Sequence, residues 1–279
     1  MISEKAYAKV NLSLYITGVR DDGYHLLDTV MQRVSLYDTV SIRENNDSKI
    51  KVISNDTSLT DENNICFAAA KAFFEKTGIS SGVNIEVIKK IPLAAGLGGG
   101  SADAATVLNI LNKMYSYPLS YEQLCEIGLG LGADVPFCIK GGCARVMGIG
   151  EAIENTHRNL PLYIVLIKNG EKASTGQMYK AFDMLDRKKA ENRNADMVKG
   201  LENGDLDMFL KTVHNDFSYV WNYDDIKADL VKNGAKCVSI SGSGPTVMGF
   251  FESKEKADIA ADTLIKKYPL TFSVCAVSE

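Results

Sequence analysis

Between Lys5 and Thr17 the chain alternates strictly, with Ala6, Ala8, Val10, Leu12, Leu14 and Ile16 on one side and Lys5, Tyr7, Lys9, Asn11, Ser13 and Tyr15 on the other. A period of two predicts a strand. Lys9 and Asn11 then point the same way, onto a face that the alternation alone makes solvated. The turn Arg20–Gly23 leads to Tyr24 and His25, which open a second patterned segment, 26–42. The polar stretch 44–64 encloses a short alternation at Ile50–Ile53. From Asn64 or Ile65 to Lys76 the pattern turns helical, with Gly78 as its stop. Val83, Ile85 and Val87 against Asn84 and Glu86 predict another strand, and Ala104, Ala105, Val107, Leu108 and Leu111 an apolar helical stripe. Ser120 caps a further helix, after which Asp134 sits on a loop constrained by Pro136. Gly141–Gly150 reads as turn, short strand and second turn. The second half opens with a strand at Leu162–Lys168 and continues through helical patterns across Gln177–Asn233. It closes as strand, turn, strand, helix, strand over Cys237–Val277. That order suggests an α+β sandwich, and the polar shift at Glu151–Asn159 marks a domain boundary.

The stretch that organises this pattern is Pro92–Ala105, PLAAGLGGGSADAA, between the predicted strand 83–88 and the apolar helix. Glycines at this density let several backbone N–H groups converge on one anion, and Ser101 can cap a helix whose positive end faces it. Phosphate is the indicated ligand. No lysine follows the glycines, as a Walker A loop needs, and Ser101 stands where a dinucleotide fingerprint starting at Gly96 needs glycine. A flexible linker is the bland alternative, but the loop joins two strongly patterned elements, not two domains. A second run of small residues, Ser241–Pro245 (SGSGP), is by itself an ordinary hairpin turn.

With 279 residues and 46% apolar content the chain can bury a sizeable core. Its net charge of −4 argues against general affinity for nucleic acid or anionic membrane, so any phosphate site is local. The first residues lack the apolar core of a signal peptide, which makes a cytoplasmic protein the expectation. Six cysteines contain no CxxC pair and read as reduced structural thiols; Cys138 and Cys143 lack a second pair of ligands for a metal. Alone, His25 reads as structural and Asp134 as a turn-former.

Together these signals resemble the GHMP kinase superfamily, which includes galactokinase, homoserine kinase, mevalonate kinase and phosphomevalonate kinase. The resemblance rests on the N-terminal strand, the glycine loop and the SGSG turn. AKVNLSL (Ala8–Leu14), RDDGYHLLDTVMQ (Arg20–Gln32), LGADVPF (Leu131–Phe137) and MGIGE (Met147–Glu151) make it closest to the branch that phosphorylates a cytidylyl methylerythritol. Ala95 and Ala102 depart from the usual glycine and serine, as does Pro245-Thr246 from a serine-rich continuation, and residues 170–235 match weakly.

The resemblance implies an α+β, two-domain GHMP kinase architecture. An N-terminal domain, 1–155, carries the phosphate loop and catalytic residues, and a C-terminal α/β sandwich spans 156–279. It implies transfer of the γ-phosphoryl of ATP to a 2-hydroxyl, with Asp134 as the carboxylate that takes the hydroxyl proton and Lys9 as the adjacent positive charge. ATP would meet Pro92, Leu93, Ala94, Ala95, Gly96, Leu97, Gly98, Gly99, Gly100, Ser101 and Ala102, with adenine near Asn64, Ile65 and Lys89. Tyr24 would stack on the cytosine, His25 would read its edge, Asn11 would place the erythritol part, and Tyr179 would be a second stacking ring. Mg²⁺ is expected between the phosphates, with Ser101 as its protein ligand. The expected partners are these small molecules, with no nucleic acid or membrane, and the expected state is a monomer or weak homodimer. A different small-molecule GHMP kinase, or a non-catalytic ligand-binding member, remains as an alternative.

Overall fold

The computed structural model describes residues 1–171, 174–186 and 190–278. Its residues cluster into two compact units that are interleaved along the chain. The first comprises Met1–Lys9, Leu36–Ile91 and Gly98–Gly141, and the second Val10–Ser35, Pro92–Leu97 and Gly142–Glu279. The linear division expected at residue 155 therefore differs from the spatial grouping. The reason is that two long strands, β1 (Ile2–Val19) and β2 (His25–Asn45), each contribute a stretch to both units.

In the first unit β3 (Ile50–Ser54) leads through a 3-10 turn to α1 (Ile65–Thr77), followed by β4 (Gly82–Ile88). β4 runs parallel to β3 and antiparallel to the end of β2, giving the order β3-β4-β2-β1. α1 starts where the Asn64 side chain accepts the Cys66 N–H and stops at Gly78 in the left-handed conformation, the two signals its sequence carries. α2 (Gly99–Met114) packs on α1 and on α4 (Val135–Lys140), and α3 (Tyr121–Leu131) touches all three. Ser120 and Gln123 close a reciprocal capping box on α3. The core holds Val40, Ile42, Val52, Phe73, Ile85 and Leu108.

In the second unit β5 (Cys143–Gly148) pairs antiparallel with the start of β2, and β6 (Ala152–Asn155) with β5. β7 (Tyr163–Lys168) belongs to a second sheet. Between it and the closing strands come α5 (Thr175–Asp183), α6 (Asn194–Asn203), α7 (Leu206–Thr212), the two-residue β8 (His214–Asn215) and α8 (Asp224–Lys232). β8 pairs parallel with β1 at Ser13 and Leu14. β9 (Cys237–Ile240), β10 (Thr246–Phe251), α9 (Lys254–Leu264) and β11 (Thr271–Cys275) complete an antiparallel sheet of order β11-β7-β10-β9. Its core gathers Val165, Ile167, Phe217, Leu230, Ile240, Val247 and Leu264, as the alternation and helical stripes of the sequence require. All six cysteines are free thiols. No described helix is long and apolar enough to cross a membrane.

From Lys9 to Tyr15 the polar side of β1 is not solvated, although Lys5 at its start is exposed. Lys9, Asn11, Ser13 and Tyr15 are as buried as the apolar residues that alternate with them. A buried polar face must find partners inside the protein, and the partners it finds are described next.

Candidate active site

In the first unit the loop enters α2 at Gly98, which takes φ +67° and occupies the cap position with no side-chain cap. Ser101, expected as the cap, lies instead in the first turn, because the left-handed glycine lets the helix begin at Gly99. The N–H groups of this first turn have no intrahelical acceptor, and the positive end of the helix dipole adds to them. A Cβ on Gly98 would stand 2.8 Å from Cγ and 3.0 Å from Cε of Lys9, so the stem of Lys9 lies directly over the start of the helix. Lys9 Nζ is 3.0 Å from Oδ2 of Asp134.

The constrained loop expected around Asp134 is the start of α4, and Pro136 is tolerated in its first turn, where no amide hydrogen is required. Asp134 holds the cap position of that helix, yet its side chain caps nothing and turns to Lys9. The Asp134 side chain keeps 31% exposure while that of Lys9 keeps 5%, so the carboxylate is the reachable half of the pair. Ser101 Oγ lies near Gly132, two residues before Asp134.

Asn64 spends its side chain on the cap of α1 and on the Leu59 carbonyl, and Ile65 packs beneath Gly100. Lys89, expected near adenine, directs Nζ to Oδ2 of Asp38 and Oδ2 of Asp103. Asp38 Oδ1 also accepts the N–H groups of Lys90 and Ile91 and so fixes the chain where it leaves β4. Burial works against the Lys89 ammonium, but the two carboxylates outweigh it and raise its pKa. Burial raises Asp103 to about 7; the attraction of Lys89 opposes this and the charge of Asp38 adds to it. Sequence reading missed both acids. Asp103 sits inside the glycine-loop motif, but nothing local connects it to Lys89 or Asp38.

In the second unit Pro92–Leu97 meets the SGSGP turn. Gly96 has φ +76°, and a Cβ there would come within 2.5 Å of the Ser241 carbonyl oxygen and 2.8 Å of that of Gly244. Ser241 Oγ donates to the Gly96 carbonyl at 2.9 Å and accepts the Asn11 N–H at 3.3 Å. The two glycine-rich segments, 145 residues apart in sequence, are thus one packed structure. Ala94 takes φ +51°, the left-handed region that costs a residue with a Cβ about 1–2 kcal/mol. Ala95 is buried, as is Ala102 on α2.

The Asn11 amide donates to Thr29 Oγ1 at 2.9 Å, and the Thr29 hydroxyl donates onward to the Ser13 carbonyl. Beyond it lies Asp28, saturated by Nε and Nη2 of Arg145 and by the amides of Asn192 and Asn194. Burial pushes the Asp28 carboxyl up, but these four donors outweigh it and hold it below the usual range. Tyr24 is exposed at the end of its turn, where its carbonyl accepts the Arg20 N–H at 2.8 Å. His25 and Tyr179 are stacked on each other, with ring centroids 4.3 Å apart. Asp183, another residue that sequence reading passed over, lies 2.8 Å from His25 Nε2. The structure therefore groups Lys9, Asp134 and Gly98–Ser101 in the first unit, and Asn11, Tyr24, His25, Tyr179 and Gly96 in the second.

In the first unit, then, a lysine–carboxylate pair stands over an uncapped, glycine-led helix start. Residues 64–142 match the profile of the GHMP kinases N terminal domain, and residues 197–270 that of the GHMP kinases C terminal domain. The chain belongs to the GHMP kinase family, in the branch that holds the 4-diphosphocytidyl-2-C-methyl-D-erythritol kinases. Curated kinases of that name from Clostridium beijerinckii and Clostridioides difficile are each 41% identical to it. The alignments cover 96% and 97% of this chain and 97% and 93% of theirs. A crystal structure of 4-(cytidine 5'-diphospho)-2C-methyl-D-erythritol kinase superposes with a TM-score of 0.84 at 27% identity, over 100% of both chains. Mevalonate kinase from L. major, at 14% identity and a TM-score of 0.78, covering 100% of this chain and 97% of its own, shares the fold.

Proposed function

We propose that this protein phosphorylates the 2-hydroxyl of 4-diphosphocytidyl-2-C-methyl-D-erythritol with ATP, a step in the non-mevalonate route to isoprenoid precursors. The observation that carries the mechanism is the pairing of Lys9 with an Asp134 that does no capping work, directly over the start of α2. The hydroxyl oxygen attacks the γ-phosphorus, the bond to the β,γ-bridging oxygen breaks, ADP leaves, and the hydroxyl proton passes to Asp134. Lys9 supplies positive charge where negative charge gathers, and the free N–H groups of the first turn of α2 hold phosphate oxygens. Asn11 places the erythritol part, Tyr24 stacks on the base, and His25 reads its edge.

A magnesium ion bound beside the phosphates would have Ser101 as its protein ligand. Among the described residues no group of three or more histidines, cysteines or acids is arranged to hold a metal. A hard cation that keeps its waters and binds phosphate oxygens fits the single hydroxyl of Ser101 in the anion-binding turn. When bound it neutralises phosphate charge; orientation of the alcohol and acceptance of its proton fall to the chain's own residues.

The test is phosphoryl transfer from ATP to three alcohols, the cytidylyl methylerythritol, homoserine and mevalonate. Turnover is expected with the first alone. Turnover of either other alcohol in its place overturns the substrate assignment, and nucleotide binding without turnover of any overturns the enzyme reading.

A further inference from the structure

His25 opens β2 and is held by two side chains of α5. Its ring lies on Tyr179 with the planes 20° from parallel, and its Nε2 is 2.8 Å from Oδ1 of Asp183. Tyr179 and Asp183 are four residues apart and so share one face of the helix. Tyr179 is in turn backed edge-on by Phe217 at 5.0 Å. One helix face thus sets both the plane of the imidazole and its rotation in that plane. A carboxylate can only accept a hydrogen bond, so the proton between the two belongs to Nε2. In the neutral ring the lone pair is then on Nδ1, which makes no hydrogen bond among the described residues.

We propose that Asp183 is a positioning residue that fixes the Nε2–H tautomer of His25, so that Nδ1 accepts from the exocyclic amino group of the substrate's base and selects cytosine over uracil. The inference rests on His25 as the base reader in the proposed function. Cytosine presents an amino donor at ring position 4, where uracil presents a carbonyl acceptor. Against uracil, two acceptors face each other and both stay unpaired. The second partner decides the first: an acceptor on Nε2 forces an acceptor on Nδ1. Asp183→Asn reverses this logic, because its amide can donate to Nε2 and move the proton to Nδ1.

The experiment compares kcat/KM for the cytidylyl and uridylyl forms of the substrate in wild type, Asp183→Asn, Asp183→Ala and His25→Ala. Thermal melts and the ¹⁵N chemical shifts of the His25 ring in the wild type accompany the kinetics. The cytidylyl preference should fall by about tenfold to a hundredfold in Asp183→Asn and by less in Asp183→Ala, while the KM for ATP does not move. The wild-type Nδ1 should give the shift of an unprotonated nitrogen. An unchanged preference in both Asp183 variants, or a protonated Nδ1 in the wild type, overturns the inference alone. An unchanged preference and KM in His25→Ala overturns the base-reader reading on which it rests.

Discussion

Lys9 Nζ and Asp134 Oδ2 are 3.0 Å apart, joining the middle of the first strand to the cap position of α4 across 125 residues of sequence. Asp134→Asn conserves shape but cannot take a proton or balance Lys9. It should keep both substrates bound and lose about two to four orders of magnitude in kcat. Lys9→Met should lose a comparable amount, and the double variant should be little worse than either. Turnover of all three, measured beside thermal melts, checks this. Near-wild-type turnover of Asp134→Asn would reduce the pair to a structural ion pair.

Gly98 and Gly96 both have positive φ, but their neighbours differ. Gly98→Ala pushes on the flexible stem of Lys9, so the protein should fold at a cost of about 1–2 kcal/mol from the left-handed backbone. It should then bind ATP more weakly and turn over more slowly. Gly96→Ala drives a methyl into two carbonyl oxygens that cannot move independently, so its loss should appear in melting temperature and soluble yield. Melts and ATP kinetics on both variants separate the cases. A Gly98→Ala enzyme with normal ATP kinetics would remove the loop from nucleotide binding.

Asp103 gives stability a predictable pH dependence. Its folded pKa of about 7 lies above that of an unfolded aspartate, so between about pH 4 and 7 the native state binds the extra proton. The stability this contributes is present at the acid end and is lost as pH rises through 7. Asn cannot ionise, so Asp103→Asn should gain on the wild type between pH 5 and pH 8. Urea unfolding midpoints at those values and one between provide the check, and a drift in the opposite direction would reject the assignment.

Arg145 makes two of the four hydrogen bonds that saturate Asp28. Arg145→Met should leave a buried carboxylate without its cation and destabilise by about 3 kcal/mol. That is the low end for breaking a buried pair, because 26% of the Arg145 side chain is exposed. Adding Asp28→Asn should recover part of the loss. Equilibrium unfolding of the single and double variants tests both statements. A single-variant cost under about 1 kcal/mol would class the pair with ordinary surface ion pairs.

The sequence by itself determined most of the strands, several helix ends and the place of the glycine-rich loop, because each is a short-range property. Alternation at Lys5–Thr17, Asn64 before and Gly78 after one helix, and the Ser120–Gln123 box act over a few residues and appear in the structure where they were read. The tertiary structure decided what each buried polar group meets. The alternation made the Lys9 side of β1 look solvated, yet burial obliges those side chains to find partners, and the partners are remote in sequence: Asp134 for Lys9, Thr29 and Ser241 for Asn11, Asn194 for Ser13. The same holds for Lys89, expected near adenine and found directed to Asp38 and Asp103, and for His25, whose Nε2 meets an acid 158 positions away. Periodicity and caps are written in neighbouring residues. The pairing of buried charges and hydrogen bonds is settled only when distant segments pack, because there the cost of an unpaired polar group selects one arrangement from many.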